Sequence, residues 1–214
     1  MLRFVKSRGA MALAIFCLFS SSAGAAETAH QSAAEAFVQE NIDNAYAVLG
    51  NPSLTPAERN TRFRSFILSL MDTGRIGRFT LGQYANSAAP AVVADFEKAF
   101  ADYAVAVYES RLSEFKDLKM RVTGSAVLGE DDIVVAASAS GPGLPNPANP
   151  VRVGFRVRTN SNGRLVVTDM DVEGIWLALW ERADFTSYLH QHGGDVAELA
   201  RHLRSEAGQL SGRP

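Results

Sequence analysis

Apolar positions change period once along this chain. Over residues 31–115 they recur every three or four positions, the spacing of amphipathic helices, and after Lys116 they alternate, the spacing of half-buried strands. Phe37, Ile42, Tyr46 and Leu49 make a first helical stripe, closed by Gly50-Asn51-Pro52. Thr55-Pro56 predicts the next helix start, with Thr55 as N-cap, Pro56 at the first helical position and Glu58 completing a capping box. Its stripe is Phe63, Phe66, Ile67, Leu70 and Met71. A short segment over 76–84 is punctuated by Gly74, Gly77 and Gly82. The longest pattern runs over 90–115, with Val92, Val93, Phe96, Ala99, Phe100, Tyr103, Val107 and Tyr108 on one broad face. At about 1.5 Å per residue this helix crosses a whole domain.

Four strands are predicted over 120–122, 133–139, 151–157 and 165–172, joined by turn sequences at Gly129-Glu130-Asp131-Asp132 and Ser161-Asn162-Gly163. Between the second and third strands, residues 141–150 (GPGLPNPANP) have the Pro and Gly content of a surface loop. The third strand sets Val151, Val153, Phe155 and Val157 on one face and Arg152, Arg156 and Arg158 on the other, as in an antiparallel sheet with one wet face. Helical patterns return over 184–191 and 195–206, separated by Gly193-Gly194. Helices, then an antiparallel meander, then short helices describe one α+β domain with its helices on one sheet face.

The N-terminus changes the charge and the compartment. Arg3, Lys6 and Arg8 precede an apolar run (MALAIFCLF) and the small residues Ala23-Gly24-Ala25, which is the layout of a cleaved secretory signal over residues 1–25. The run is shorter than the about 20 residues that span a bilayer. Of 214 residues, 21 are basic and 23 acidic; cleavage after Ala25 removes three basic residues and no acidic one, leaving a 189-residue chain, 26–214, of net charge −5. It also removes the sole cysteine, Cys17, so the expected mature protein is indifferent to an oxidising compartment, and a bacterial periplasm is the expected location. A pI near 6.1 speaks against nucleic acid as a partner.

Candidate chemistry is sparse. His190, His192 and His202 lack the spacing and the additional ligands of a zinc site, and no metal or other cofactor is expected. Asp169, Asp171 and Glu173 share one strand face, but Val166, Met170 and Val172 are expected to take the buried face, leaving the acids in water rather than paired across a catalytic cleft. No nucleophile elbow, P-loop or dinucleotide fingerprint occurs, and no catalytic residues are assigned. Arg59, Arg62, Arg64, Arg75 and Arg78 form a basic cluster suited to a wet helix face, lipid phosphate or an acidic partner. The remaining surplus is apolar. Large residues on the helices and small ones such as Gly124, Ala126, Ala136, Ala137 and Ala139 on the strands fit either a filled core or an apolar cavity.

The order of motifs resembles the MlaC-like (toluene-tolerance auxiliary) family of periplasmic phospholipid carriers. The matching stretches are IGRFTLGQY from Ile76, FEKAFADY from Phe96 with Tyr108, DMDVEG from Asp169, WERADF from Trp180, and Gly193-Gly194. Trp176 stands where the family commonly has serine, and Ala85 where an aromatic often follows the tyrosine of the first motif. The resemblance implies a helical layer on a highly curved antiparallel four-stranded sheet enclosing an apolar pocket. It implies a soluble, non-enzymatic carrier of phospholipid, or of a hopanoid-type polycyclic lipid as in some relatives. Its implied partners are an inner-membrane ABC complex with an MCE-domain protein and an outer-membrane lipoprotein complex. On that basis the expected pocket lining is Phe66, Leu70, Ile76, Phe79, Phe100, Tyr103, Val107, Val122, Val135, Val153 and Phe155. The alternatives are an enzyme acting on an apolar substrate in a cone-shaped cavity, with Tyr103 or Tyr108 as its acid or base, and an interaction module with a filled core.

Overall fold

The computed structural model describes residues 22–111, 117–142, 144 and 147–211. Residues 1–21 of the expected export signal and 112–116 at the end of the longest predicted helix lie outside the described residues. Helix α1 (Ser22–Leu49) begins ahead of the expected cleavage point. Its buried residues Ala34, Val38 and Ile42 recur every four positions, so they form one stripe, and that stripe lies on the sheet.

Helix α2 (Pro56–Leu70) starts at the capping box read from the sequence. The Glu58 N–H donates to Thr55 Oγ1 at 3.3 Å, and the Thr55 N–H donates to Glu58 Oε2 at 2.9 Å. Phe63 and Ile67, one turn apart, are its buried residues. Met71 ends the helix by pairing with Val167 in a parallel bridge, and Asp72 both donates its N–H to Val167 O at 3.1 Å and caps α3 (Thr73–Thr80) through Arg75 N at 3.0 Å. The α2–α3 corner is thereby pinned to a sheet edge. A single turn, α4 (Tyr84–Ser87), leads to α5 (Pro90–Ser110).

The sheet is an antiparallel meander in chain order: β1 (Lys119–Gly129), β2 (Asp132–Ser140), β3 (Val151–Thr159), β4 (Leu165–Val172) and a short β5 (Ile175–Trp176), five strands where four are expected. Strand β2 alternates strictly, burying Ile133, Val135, Ala137 and Ala139, and these pair with Val157, Phe155, Val153 and Val151 of β3. Register shifts at Val122/Gly124, Val127/Gly129 and Arg156/Val157 interrupt the ladders. Each bulge adds local twist and bends the strand, which curls the sheet around its inner face. The β4–β5 turn has two residues, Glu173 at φ 53° and Gly174 at φ 91°, both left-handed as a type I′ hairpin turn requires. Glu173 is held there by its N–H to Arg152 O at 3.0 Å and by its carboxylate, which accepts from the Arg152 N–H.

Helices α6 (Leu177–Gln191) and α7 (Val196–Ser211) complete the domain. They enclose a second core with α3 and α5, in which Phe96, Leu189, Leu199 and Leu203 are essentially inaccessible to solvent. The helices are not confined to one sheet face. Helix α1 covers the inner face, whereas α3 and the start of α6 reach round onto the opposite face of β4. This overturns the expectation that the acids of β4 point to water: Asp169 and Asp171 are 7% and 3% exposed. Among the described residues no helix is long and apolar enough to cross a membrane.

Candidate functional site: an apolar cavity between two helices and the sheet

A cavity of about 140 Å³ lies where α1 and α2 bridge the concave face of the sheet. Helix α1 supplies Val38, Asn41, Ile42, Ala45, Tyr46 and Leu49, spaced every three or four residues, so one helical face makes one wall. Helix α2 supplies Phe63, Phe66, Ile67 and Leu70 by the same periodicity. Tyr108 closes one side, and Met71, Met120, Phe155, Val167 and Met170 form the remainder of the wall. The volume is close to that of an engineered apolar cavity of about 150 Å³ that admits benzene. It suits a hydrocarbon segment, and three unbranched methionine side chains in the wall can change rotamer to admit more.

Three lining residues carry polar groups. Asn41 Nδ2 donates to Phe37 O at 2.7 Å, and the Tyr46 hydroxyl is engaged with the Met120 backbone. Among the described residues the Tyr108 hydroxyl has only the Met170 thioether, 3.6 Å away. Burial first, and then the charges of Glu181 and Asp169, push the Tyr108 phenol up to about 12. It therefore stays protonated at neutral pH, a hydrogen-bond donor and a poor base. Among the described residues the lining contains no carboxylate, imidazole or cation.

The sequence-predicted residues divide among several places. Phe66, Leu70 and Phe155 line the cavity. Val122, Val135 and Val153 belong to the hydrophobic core between the sheet and α1. Phe100 and Tyr103 pack against Phe185 in the helical core, with ring centroids 6.3 Å apart in each pair. Ile76 belongs to the same core, and Phe79, 40% exposed, lies under the Arg182 guanidinium 4.9 Å from its ring centre. Val107 is half-buried on α5 and is not part of the lining. The cause is the length of α5. Its N-terminal part faces α3, α6 and α7, and only its last turns, at Val105 and Tyr108, reach α2 and the cavity. Conversely, the α1 residues were visible as a stripe without a partner; the small Ala45 within it was the available signal that the stripe encloses space.

A second, smaller pocket of about 90 Å³ opens on the other face of β4, lined by Arg75, Ile76, Phe79, Arg156, Arg158, Thr168, Asp169 and Ala178. Its arginines are largely committed. Asp132 accepts from Arg156 Nε at 2.8 Å and Nη2 at 2.5 Å, and also from Arg158. These bonds hold the Asp132 carboxyl below the usual range. In the basic cluster of α2 and α3, Arg59 donates to the Asn51 and Leu54 carbonyls and Arg64 pairs with Asp102, while Arg62, Arg75 and Arg78 are exposed. Of the three candidate histidines, His190 is exposed, while His192 and His202 stack on the Tyr188 ring at 3.9 and 4.9 Å. Among the described residues no three His, Cys, Asp or Glu side chains are placed to share a metal ion.

The family model described as MlaC protein matches residues 39–205. Among solved structures, a phospholipid-binding protein from Ralstonia solanacearum, in complex with a phospholipid, matches with a TM-score of 0.68 and 22% identity over 83% of this chain and 98% of that one. At that identity the likeness is one of fold. No curated protein gives a significant match.

Proposed function

The chain belongs to the MlaC family, and from that premise we propose that it is a periplasmic carrier that shields the acyl chains of a phospholipid or hopanoid-type lipid. It collects and delivers this cargo between an inner-membrane ABC complex containing an MCE-domain protein and an outer-membrane lipoprotein complex, after export and cleavage behind Ala25. The observation that carries the reading is the apolar cavity walled by α1, α2 and the concave sheet.

The physics of transfer favours such a carrier. Two acyl tails contain on the order of 30 methylenes, and at about 0.8 kcal/mol each their exposure to water costs roughly 24 kcal/mol. A free lipid therefore does not cross an aqueous gap at a useful rate. Relative to a bilayer an apolar cavity gains almost nothing, so binding is reversible and direction is set by the partners. A wall that, among the described residues, has no carboxylate, imidazole or cation, and whose half-buried Tyr108 phenol is held protonated, favours binding over acid–base chemistry.

The test is extraction. Purified residues 26–214 are mixed with vesicles of phosphatidylglycerol and phosphatidylethanolamine carrying a self-quenched acyl-labelled lipid. The expected result is dequenching that saturates near one protein per carried lipid, with the label recovered in the vesicle-free fraction. Label that stays wholly with the vesicles contradicts the proposal.

A further inference from the structure

Among the polar groups of the cavity wall, the hydroxyl of Tyr108 stands out for the weakness of its partner. Tyr108 lies in the last turn of α5, packed with Phe63, Ile67 and Val105, and among the described residues its O–H meets only the sulfur of Met170 at 3.6 Å. A thioether is a weak acceptor, and a desolvated hydroxyl without a strong one gains whenever a bound molecule brings an oxygen to it. Asn41 already holds a backbone partner, and the Tyr46 hydroxyl has the Met120 backbone beside it.

The surroundings select the kind of oxygen. Asp169, and Glu181 to the extent that its pKa of about 7 leaves it ionised, act on the phenol and disfavour added negative charge at that point. Among the described residues no cation belongs to the lining to offset a phosphate or a carboxylate. A neutral carbonyl oxygen satisfies the donor without that repulsion. An alkyl ether oxygen is a poorer acceptor in the same place.

We propose that the Tyr108 hydroxyl anchors a neutral ester carbonyl of the cargo inside the cavity, making Tyr108 a specificity-determining residue for ester-linked acyl lipid over ether-linked lipid or free fatty acid. This deepens the carrier reading above and rests on it. The anchored carbonyl lies at the junction of the acyl chain and the glycerol, so the phosphate is left outside the cavity, away from the two acids.

Uptake from vesicles of dioleoyl phosphatidylglycerol, of its di-O-alkyl ether analogue and of oleate is compared for the wild type and Tyr108→Phe. The wild type is expected to favour the diester over the diether by about tenfold, which corresponds to about 1.4 kcal/mol. Tyr108→Phe keeps the ring and is expected to abolish the preference by weakening diester uptake alone. Retention of the preference in Tyr108→Phe overturns the proposal, as does a larger effect of the substitution on oleate than on the diester. Uptake of both lipids by the wild type without preference also overturns it, leaving the carrier reading intact. Uptake of neither lipid overturns the carrier reading and the anchor together. A readout on the wild type alone keeps the test independent of how the variant folds. The infrared stretch of a 13C-labelled ester carbonyl is expected at lower frequency in the bound lipid than in an apolar solvent, and an unshifted band contradicts the anchor.

Discussion

Asp169 Oδ1 accepts a hydrogen bond from the Ala178 N–H at 2.9 Å, so a carboxylate on β4 caps a helix that begins eight residues later. The residue at the N-cap of α6, Trp176, makes no side-chain capping bond, and Asp169 takes that role across the β4–β5 hairpin. The same oxygen also accepts from the Met170 N–H at 2.8 Å. Removing it takes the acceptor from the Ala178 N–H at the helix start and from the Met170 N–H on β4. Asp169→Ala is expected to destabilise the protein by about 1–3 kcal/mol, lowering Tm by roughly 3–10 °C. Asp169→Asn keeps an acceptor oxygen and is expected to lose less. Thermal unfolding of both variants checks this, and equal losses would show that the capping bond is not the cause.

This cap also explains where sequence reading succeeds and where it stops. Local signals were legible: the Thr55/Glu58 capping box and the alternation of β2 and β3 are present as predicted. The start of α6 was not, since the expected helix over 184–191 begins at Leu177. Its capping residue belongs to a strand, and no rule of adjacent positions points to it. The acids of β4 were misplaced for a related reason. The bulge in β4 breaks simple alternation, so that Val167 joins Met170 on the inner face and Val166 joins Asp169 on the other, and whether that second face meets water depends on α3 and α6 folding over it. Within the cavity, Phe66, Leu70 and Phe155 were legible as apolar residues on the right elements. Phe100 and Tyr103 were not separable from them, because a long helix serves two cores with one continuous stripe.

Cavity volume can be removed without touching a buried polar group. Ala45 lies on the α1 wall, half-buried, between the turns that carry Ile42 and Leu49. Ala45→Phe places a ring toward the space that cargo would use. It is expected to lower lipid uptake by at least about tenfold while Tm stays the same or rises, since filling an existing apolar void adds contacts instead of straining a packed core. Vesicle extraction and thermal unfolding, measured together, separate this outcome from simple misfolding. Undiminished uptake would place the cargo elsewhere.

Glu181 links stability to pH. Burial, reinforced by the like charges of Asp184 and Glu206, raises its pKa to about 7. Because the folded value lies above the unfolded one, the folded state holds the proton more tightly. The associated stability is fully present below the unfolded pKa and is lost as pH rises through about 7. Asp169, also raised by burial, acts in the same direction. Between pH 5 and pH 8 this site is expected to cost the wild type on the order of 1–3 kcal/mol, a range discounted for its partial exposure. Glu181→Gln should flatten that decline and gain most at pH 8. Denaturant unfolding at both pH values provides the comparison, and parallel curves for the two proteins would contradict it.

The central claim, that the cavity carries lipid, is tested most directly by native mass spectrometry of residues 26–214 secreted from cells with intact membranes, under gentle desolvation. The account predicts a mass adduct in the range of an acyl lipid, released on activation and identified by extraction, and its loss in Ala45→Phe. Protein that arrives uniformly at its polypeptide mass, with no lipid in the organic extract, would contradict it.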